Sequence, residues 1–187
     1  MTERSDAELI REFKEGNEGG FNELVRRYQE RVYWVVRRFL PDHNDADDVV
    51  QEVFIRMYES LGGFREESSL FTWLYRIAVN LSLNNIRMKK LRRFLSIDEP
   101  LEAQLAGDED PDKAVEGLEQ RELIDKAVET LPEKQKAVFV LRYYEQLPYE
   151  EISRILKTST GGLKANYYHA VRKIQDYVKR AYRPSND

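Results

Sequence analysis

Five side chains near the end of the chain, Lys164, Ala165, Tyr168, His169 and Arg172, share one face when residues 161–178 are wound as a helix. Lysine and arginine neutralise phosphates or bond guanine edges, histidine can do either, and an apolar patch can meet a thymine methyl. The opposite face carries Leu163, Tyr167, Ala170, Ile174 and Tyr177 or Val178, stepping by three and four as a buried stripe does. A second apolar-striped segment precedes this one across a short hydroxyl-rich turn, so residues 147–180 read LPYEEISRILKTSTGGLKANYYHAVRKIQDYVKR. That is the pattern of a helix-turn-helix, whose second helix lies in the DNA major groove. Ser159 or Thr160 can cap the reading helix, leaving its free amides for a phosphate. Gly161 and Gly162 in its first turn cost about 1 kcal/mol each relative to alanine, and either admit DNA closely or let the helix start fray.

A different chemistry occupies FREESSLFTWLYRIAVN, residues 64–80. At 100° per residue, Leu70, Leu74, Ile77 and Leu81 face inward. Trp73, Arg76, Asn80, Asn84 and Arg87 fall on a separate flank, with Phe64, Arg65, Ser68, Ser69 and Phe71 before it or at its start. Aromatic rings stack on unpaired bases, amides read base edges and arginines neutralise phosphates, so this flank suits a single strand. Stacking contributes about 1–3 kcal/mol per base, comparable with the cost of extruding one. Core packing is the competing reading for Phe64, Phe71, Trp73 and Tyr75.

A third segment, NDADDVVQEVFIRMYESL over 44–61, begins with acids that suit the positive end of a helix, and Asn44 can cap it. Helix-end electrostatics accounts for Asp45 and Asp47. It does not account for Ile55, which projects away from the apolar stripe among Asp48, Gln51, Glu52, Tyr58 and Glu59. An outward isoleucine ringed by acids is a docking face for a basic partner.

The elements that must hold these groups are all helical. Apolar stripes run through Leu9–Phe13, Phe21–Phe39, Ala46–Leu61 and Leu70–Met88, and Pro41 and Gly62-Gly63 break them. They predict a first four-helix domain over residues 1–95. Residues 96–117 lose periodicity and carry eight acids, two prolines and two glycines, as a flexible linker does. Residues 118–187 predict a second four-helix unit in which Pro132 and Pro148 open helices. The fold class is therefore all-α, two small domains joined by an acidic linker.

The formal net charge of −4 argues against nucleic acid until its distribution is resolved. Residues 61–95 carry 7 basic and 2 acidic groups, and residues 134–187 carry 11 and 5, whereas 1–60 carry 9 and 14 and 96–133 carry 3 and 13. The two basic blocks hold the two DNA-like segments, and local field governs phosphate binding over a Debye length of about 10 Å. With no cysteine and only two histidines, disulfides and thiolate metal sites are excluded. The sequence also has no Gly-rich phosphate loop and no paired metal-ligand motif, so neither an enzyme nor a cofactor or metal is expected. No apolar run is long enough to span a bilayer, and a reducing, cytoplasmic setting is expected.

Taken together, the three segments resemble bacterial RNA polymerase sigma factors of the extracytoplasmic-function group. DADDVVQEVFIRMYESLGGF, 45–64, is similar to that group's core-binding helix; FREESSLFTWLYRIAVN to its element for melting and recognising the −10 promoter region; and LPYEEISRILKTSTGGLKANYYHAVRKI, 147–174, to its −35-reading helix-turn-helix. The resemblance implies a non-enzymatic factor that directs the polymerase core to promoters and helps open them. It implies contact with a coiled coil of the β′ subunit through the first domain, and with the β-flap through the second. Asp48, Gln51, Glu52, Phe54 and Ile55 would touch core. Phe64, Arg65, Ser68, Ser69, Phe71, Trp73, Arg76 and Asn80 would receive the −10 strand. Lys164, Ala165, Tyr168, His169 and Arg172 would face the −35 duplex. The acidic linker would thread towards the RNA exit path, and an anti-sigma factor would hold the protein inactive. The reading helix departs from the family's usual Gly-Thr-Val followed by arginines, having Gly161-Gly162-Leu163 and then Lys164, Asn166 and His169, so its −35 sequence is not carried over. A dimeric helix-turn-helix regulator or a helical scaffold are the other readings. The first leaves the Trp73–Asn80 flank and the Ile55 face without use, and the second leaves the charge alternation unexplained.

Overall fold

In the computed structural model, residues 4–95 and 116–182 are described, and every regular element among them is a helix. The first module contains α1 (Asp6–Lys14), α2 (Glu18–Phe39), α3 (His43–Leu61) and α4 (Leu70–Leu95). The second contains α5 (Glu116–Glu129), α6 (Glu133–Phe139), α7 (Tyr149–Leu156) and α8 (Thr160–Ala181). The expected linker lies outside the described residues, except that its last two positions already belong to α5.

The helix starts are set by side-chain caps. Ser5 and Glu8 form a reciprocal capping box on α1, and Asn17 accepts from the Gly19 amide on α2. On α3 the cap is Asp42, not Asn44: its carboxylate accepts from the Asp45 amide at 3.0 Å, and the helix begins at His43. A carboxylate at that position also complements the helix dipole, which an amide does not. Asp42 is held below the usual carboxylate range first by that backbone bond.

The first core is built from Leu24, Val32, Val35, Val36 and Phe39 of α2, Val53, Met57 and Leu61 of α3, and Leu74, Tyr75, Ala78 and Val79 of α4. Met88, expected on the inner stripe of α4, is exposed instead, along with Leu91, Phe94 and Leu95. Helix α1 crosses α2 at Gly20, where an added Cβ would sit 2.3 Å from the Leu9 carbonyl oxygen. Backbone cannot yield as a side-chain tip does. Gly20→Ala is therefore expected to cost about 1–3 kcal/mol of stability, read as a lower urea midpoint at unchanged slope.

The second core gathers Leu131, Val138, Leu141, Ile152, Ile155, Leu163, Ala170 and Ile174. The helix expected to open at Pro132 is α-helical only to Phe139 and continues as a π-helical segment, Val140–Tyr144. The two modules touch along two lines. At the end of α2, Arg38 lies 4.0 Å over the Tyr144 ring and 3.5 Å from the Asp125 carboxylate, and the buried Lys136 ammonium donates to the Phe39 carbonyl at 3.0 Å. Along α4, Thr72, Tyr75, Arg76 and Arg87 meet groups of the second module.

Candidate nucleic-acid interface

The α7–α8 corner is a helix-turn-helix with a short turn. Lys157 ends α7 in the left-handed conformation, with φ +51°, which reverses the chain in one residue. Side-chain hydroxyls then fix the turn: Ser153 donates to the Thr158 carbonyl at 2.7 Å, and Thr158 donates to the Leu156 carbonyl at 3.2 Å. Of the two expected caps, Ser159 is the one used; it accepts from the Gly162 amide at 3.3 Å. Gly161 faces open space, so nothing inside the fold requires glycine there.

On α8 the buried stripe is Leu163, Ala170 and Ile174, with Tyr167, Tyr177 and Val178 half-buried. Lys164, Ala165, Tyr168, His169 and Arg172 are all exposed on the other side, Tyr168 by 57%. The Lys164 ammonium lies 5.8 Å from the centre of the Tyr149 ring, and the Arg172 guanidinium 5.8 Å from that of Tyr168. Tyr149 belongs to the first helix of the pair, and cation–π partners on two different helices leave no periodic signal in the sequence.

In the first module, the loop between α3 and α4 closes a pocket of about 400 Å³ against the start of α4. Phe64, Arg65, Ser68, Trp73 and Arg76 line it, together with Ser60, Gly63 and Glu67. Phe64 and Trp73 form its aromatic wall, with ring centres 5.2 Å apart and planes tilted by 49°. Phe64 is almost fully buried, so it is both core and wall, and Trp73 is half-buried. The loop is held from behind by Lys14 of α1, which donates to the Phe64 carbonyl at 2.8 Å. The pocket is large enough to admit a nucleobase, and the polar rim offers donors and acceptors for its edge.

Other expected strand contacts sit around this pocket rather than in it. Ser69 is exposed and caps α4, accepting from the Thr72 amide at 3.1 Å. Asn80 is exposed one turn beyond Arg76 on the same helix. Phe71 turns away: its ring lies 4.1 Å from Tyr75, under the Arg31 guanidinium at 4.9 Å. The four-residue spacing of Phe71 and Tyr75 is the sequence signal for that pairing. Tyr75 is core, and its hydroxyl is pushed up by burial and then by the neighbouring Glu145. Ser60, Gly63 and Glu67 were not singled out in sequence, since polar loop residues carry no signal of concavity.

The outer face of α3 presents Asp48, Gln51 and Ile55 to solvent, Ile55 being 46% exposed. Glu52 is partly exposed and pairs with Arg56 at 2.8 Å, while Phe54 is half-buried against the core. Asp45 pairs with Lys89 of α4, consistent with a structural role for that acid. Among the described residues, no group of His, Cys, Asp and Glu could hold a metal ion, and no helix is long and apolar enough to cross a membrane.

A family model described as "Sigma-70 region 2" matches residues 24–92, and one described as "Sigma-70, region 4" matches residues 121–174. The chain is 34% identical over 182 residues to the ECF RNA polymerase sigma-E factor of Escherichia coli (strain K12), covering 94% of this chain and 95% of that protein. It is 31% identical over 184 residues to the RNA polymerase sigma-H factor of Pseudomonas aeruginosa, covering 93% and 94%. In fold it resembles the sigma factor RpoE solved with the anti-sigma factor NepR from Bartonella quintana, with a TM-score of 0.67 at 19% identity over 85% of this chain and 96% of that one. It also resembles CnrH solved with the cytosolic domain of CnrY, with a TM-score of 0.65 at 19% identity over 92% and 96%.

Proposed function

The chain belongs to the extracytoplasmic-function group of RNA polymerase sigma factors, which direct the polymerase to promoters, and we propose that three surfaces divide that work without any catalysis by the chain itself. The outer face of α3, with Asp48, Gln51, Glu52 and Ile55, docks on a coiled coil of the polymerase β′ subunit, with Phe54 supporting it from beneath. The second module seats on the β-flap and sets α8 in the major groove of the −35 element. The pocket beside Trp73 then captures a base extruded from the −10 element. Phe64 and Trp73 supply the stacking surface, while Arg65, Ser68, Ser69, Arg76 and Asn80 hold its edge and backbone. Holding one base outside the duplex lowers the free energy of the open state by about the stacking energy, 1–3 kcal/mol, relative to the closed one. Phe71 supports this surface by packing on Tyr75. The acidic residues between the modules follow the path of RNA, and an anti-sigma factor controls access to both modules in the cytoplasm.

One observation carries this reading: a pocket large enough to admit a base, walled by Phe64 and Trp73, occurs in the same chain as a helix whose five expected duplex-facing side chains are all exposed. A dimeric regulator has no use for the pocket. The test is transcription in vitro with bacterial core polymerase and a genomic fragment library, followed by start-site mapping. Discrete starts that require the chain are expected, and their absence at every fragment refutes the reading.

The reading face itself is tested by salt. Lys164→Ala is expected to weaken −35 duplex binding and to lower the magnitude of the slope of log K against log salt by about 1, the loss of one phosphate contact. An unchanged slope removes Lys164 from the DNA backbone. Tyr149→Leu is expected to produce part of the same loss by freeing the ammonium from the ring.

A further inference from the structure

The last two turns of α4 have an exposed apolar side that neither the core nor the proposed DNA contacts use. Met88 and Leu91 are exposed, Phe94 is 84% exposed and Leu95 is 65% exposed. At 100° per residue these four fall within an arc of about 120°. Lys89, Lys90, Arg92 and Arg93 span about 160° of the opposite side, with Lys90 and Arg92 bordering the apolar arc on its two flanks. Arg87 falls inside that arc, but its charge is met by the Glu133 carboxylate 2.7 Å away. Helix α4 contains no acid in its 26 residues, so the helix itself offers nothing to offset these cations. Lys89 is offset from outside, by Asp45 of α3.

An amphipathic segment divided in this way, with cations on the polar side and phenylalanine and leucine on the other, lies in the plane of a lipid headgroup layer. The side chains disfavour other occupants. A protein interface draws on about 20–30 residues a side, and this patch offers four apolar ones. A second copy would bring the same cations against these and be repelled. A nucleic-acid backbone would take the cations but leave Phe94 and Leu95 in water. An anionic bilayer takes both, because its headgroups answer the cations and its acyl boundary receives the apolar arc.

We propose that the end of α4, residues 88–95, is a peripheral docking surface for an anionic lipid bilayer. Leu91, Phe94 and Leu95 enter the acyl boundary, and Lys90, Arg92 and Arg93 sit at the headgroups. None of these residues lines the base pocket, so the surface is separate from the proposed −10 contacts.

The test mixes the full chain with vesicles of phosphatidylglycerol and phosphatidylcholine, or of phosphatidylcholine alone, and reads co-flotation. The chain is expected to partition at least about 10-fold more strongly to the anionic vesicles than to the neutral ones. A chain carrying Phe94→Ser and Leu95→Ser is expected to lose at least about 10-fold in partition to the anionic vesicles. Both side chains are exposed, so its thermal melting should match that of the unmodified chain. An unmodified chain that does not float with anionic vesicles overturns the proposal. So does a variant that floats as well as the unmodified chain, because cations alone would then account for the binding. A chain that is dimeric by light scattering and becomes monomeric on the serine substitutions assigns the surface to a second copy and also overturns it. Insertion is read separately with a Phe94→Trp chain. Brominated acyl chains must quench its fluorescence more than that of the unmodified chain, which has Trp34 and Trp73 alone. Equal quenching overturns the proposal, whether or not the serine variant folds.

Discussion

A chain carrying Asp48→Arg and Ile55→Glu is expected to fold as the unmodified chain does and to lose at least about 100-fold in affinity for core polymerase. The physical basis is the exposure of both side chains. Asp48 and Ile55 protrude from α3 on the side opposite Val49, Val53 and Met57, so replacing them leaves the core intact. At a partner surface the same replacements act twice. The isoleucine anchor is exchanged for a charge that must be desolvated, and an acid facing a basic partner becomes a repulsive cation. A 100-fold loss corresponds to about 2.7 kcal/mol, within the range of a central interface residue. Gel filtration with core polymerase reads the assembly, and thermal melting reads the fold. Holoenzyme that forms normally refutes the docking face. Phe54 is unsuited to this experiment because it is half-buried, and its removal would loosen α3 itself.

Trp73→Ala should slow or abolish promoter opening by about 5- to 100-fold while leaving binding to the −35 duplex within about twofold, as expected for the loss of one stacking surface. Permanganate footprinting of the melted segment measures the first, and a duplex mobility shift the second. Trp73 is half-buried beside Phe64, so part of its loss will register as stability. Trp73→Phe separates the roles. Phenylalanine keeps an aromatic face and most of the packing, and it should recover most of the opening. A variant that opens promoters normally despite lacking any ring at this position would remove base stacking from the mechanism.

Much of this architecture was legible in the sequence because helix periodicity reports which face is apolar. The exposure of Lys164, Ala165, Tyr168, His169 and Arg172 followed from the stripe through Leu163, Ala170 and Ile174. Ile55 was placed outside for the same reason. Periodicity says nothing of what lies over a face, and there it ran out. Met88 keeps the register of the inner stripe yet is exposed. An aromatic near a basic flank fits strand chemistry, and the sequence does not show that the Phe71 ring lies against Tyr75 and Arg31. Asn44 stands closer to the first apolar residue, yet Asp42 is the cap. The contacts of Glu133, Glu145 and Glu151 with α4 were illegible for a more general reason: an acid on a helix surface reads as solvated until the opposing cation is known.

The bond from Lys14 to the Phe64 carbonyl ties the base pocket to the helix that crosses at Gly20. Under the proposed function, capture of a melted base is thereby mechanically subordinate to α1, a helix that contributes no residue to the lining of the pocket. Mild heating, which frays a short peripheral helix before it disturbs a three-helix core, would blunt promoter melting while attachment to the transcription machinery persists.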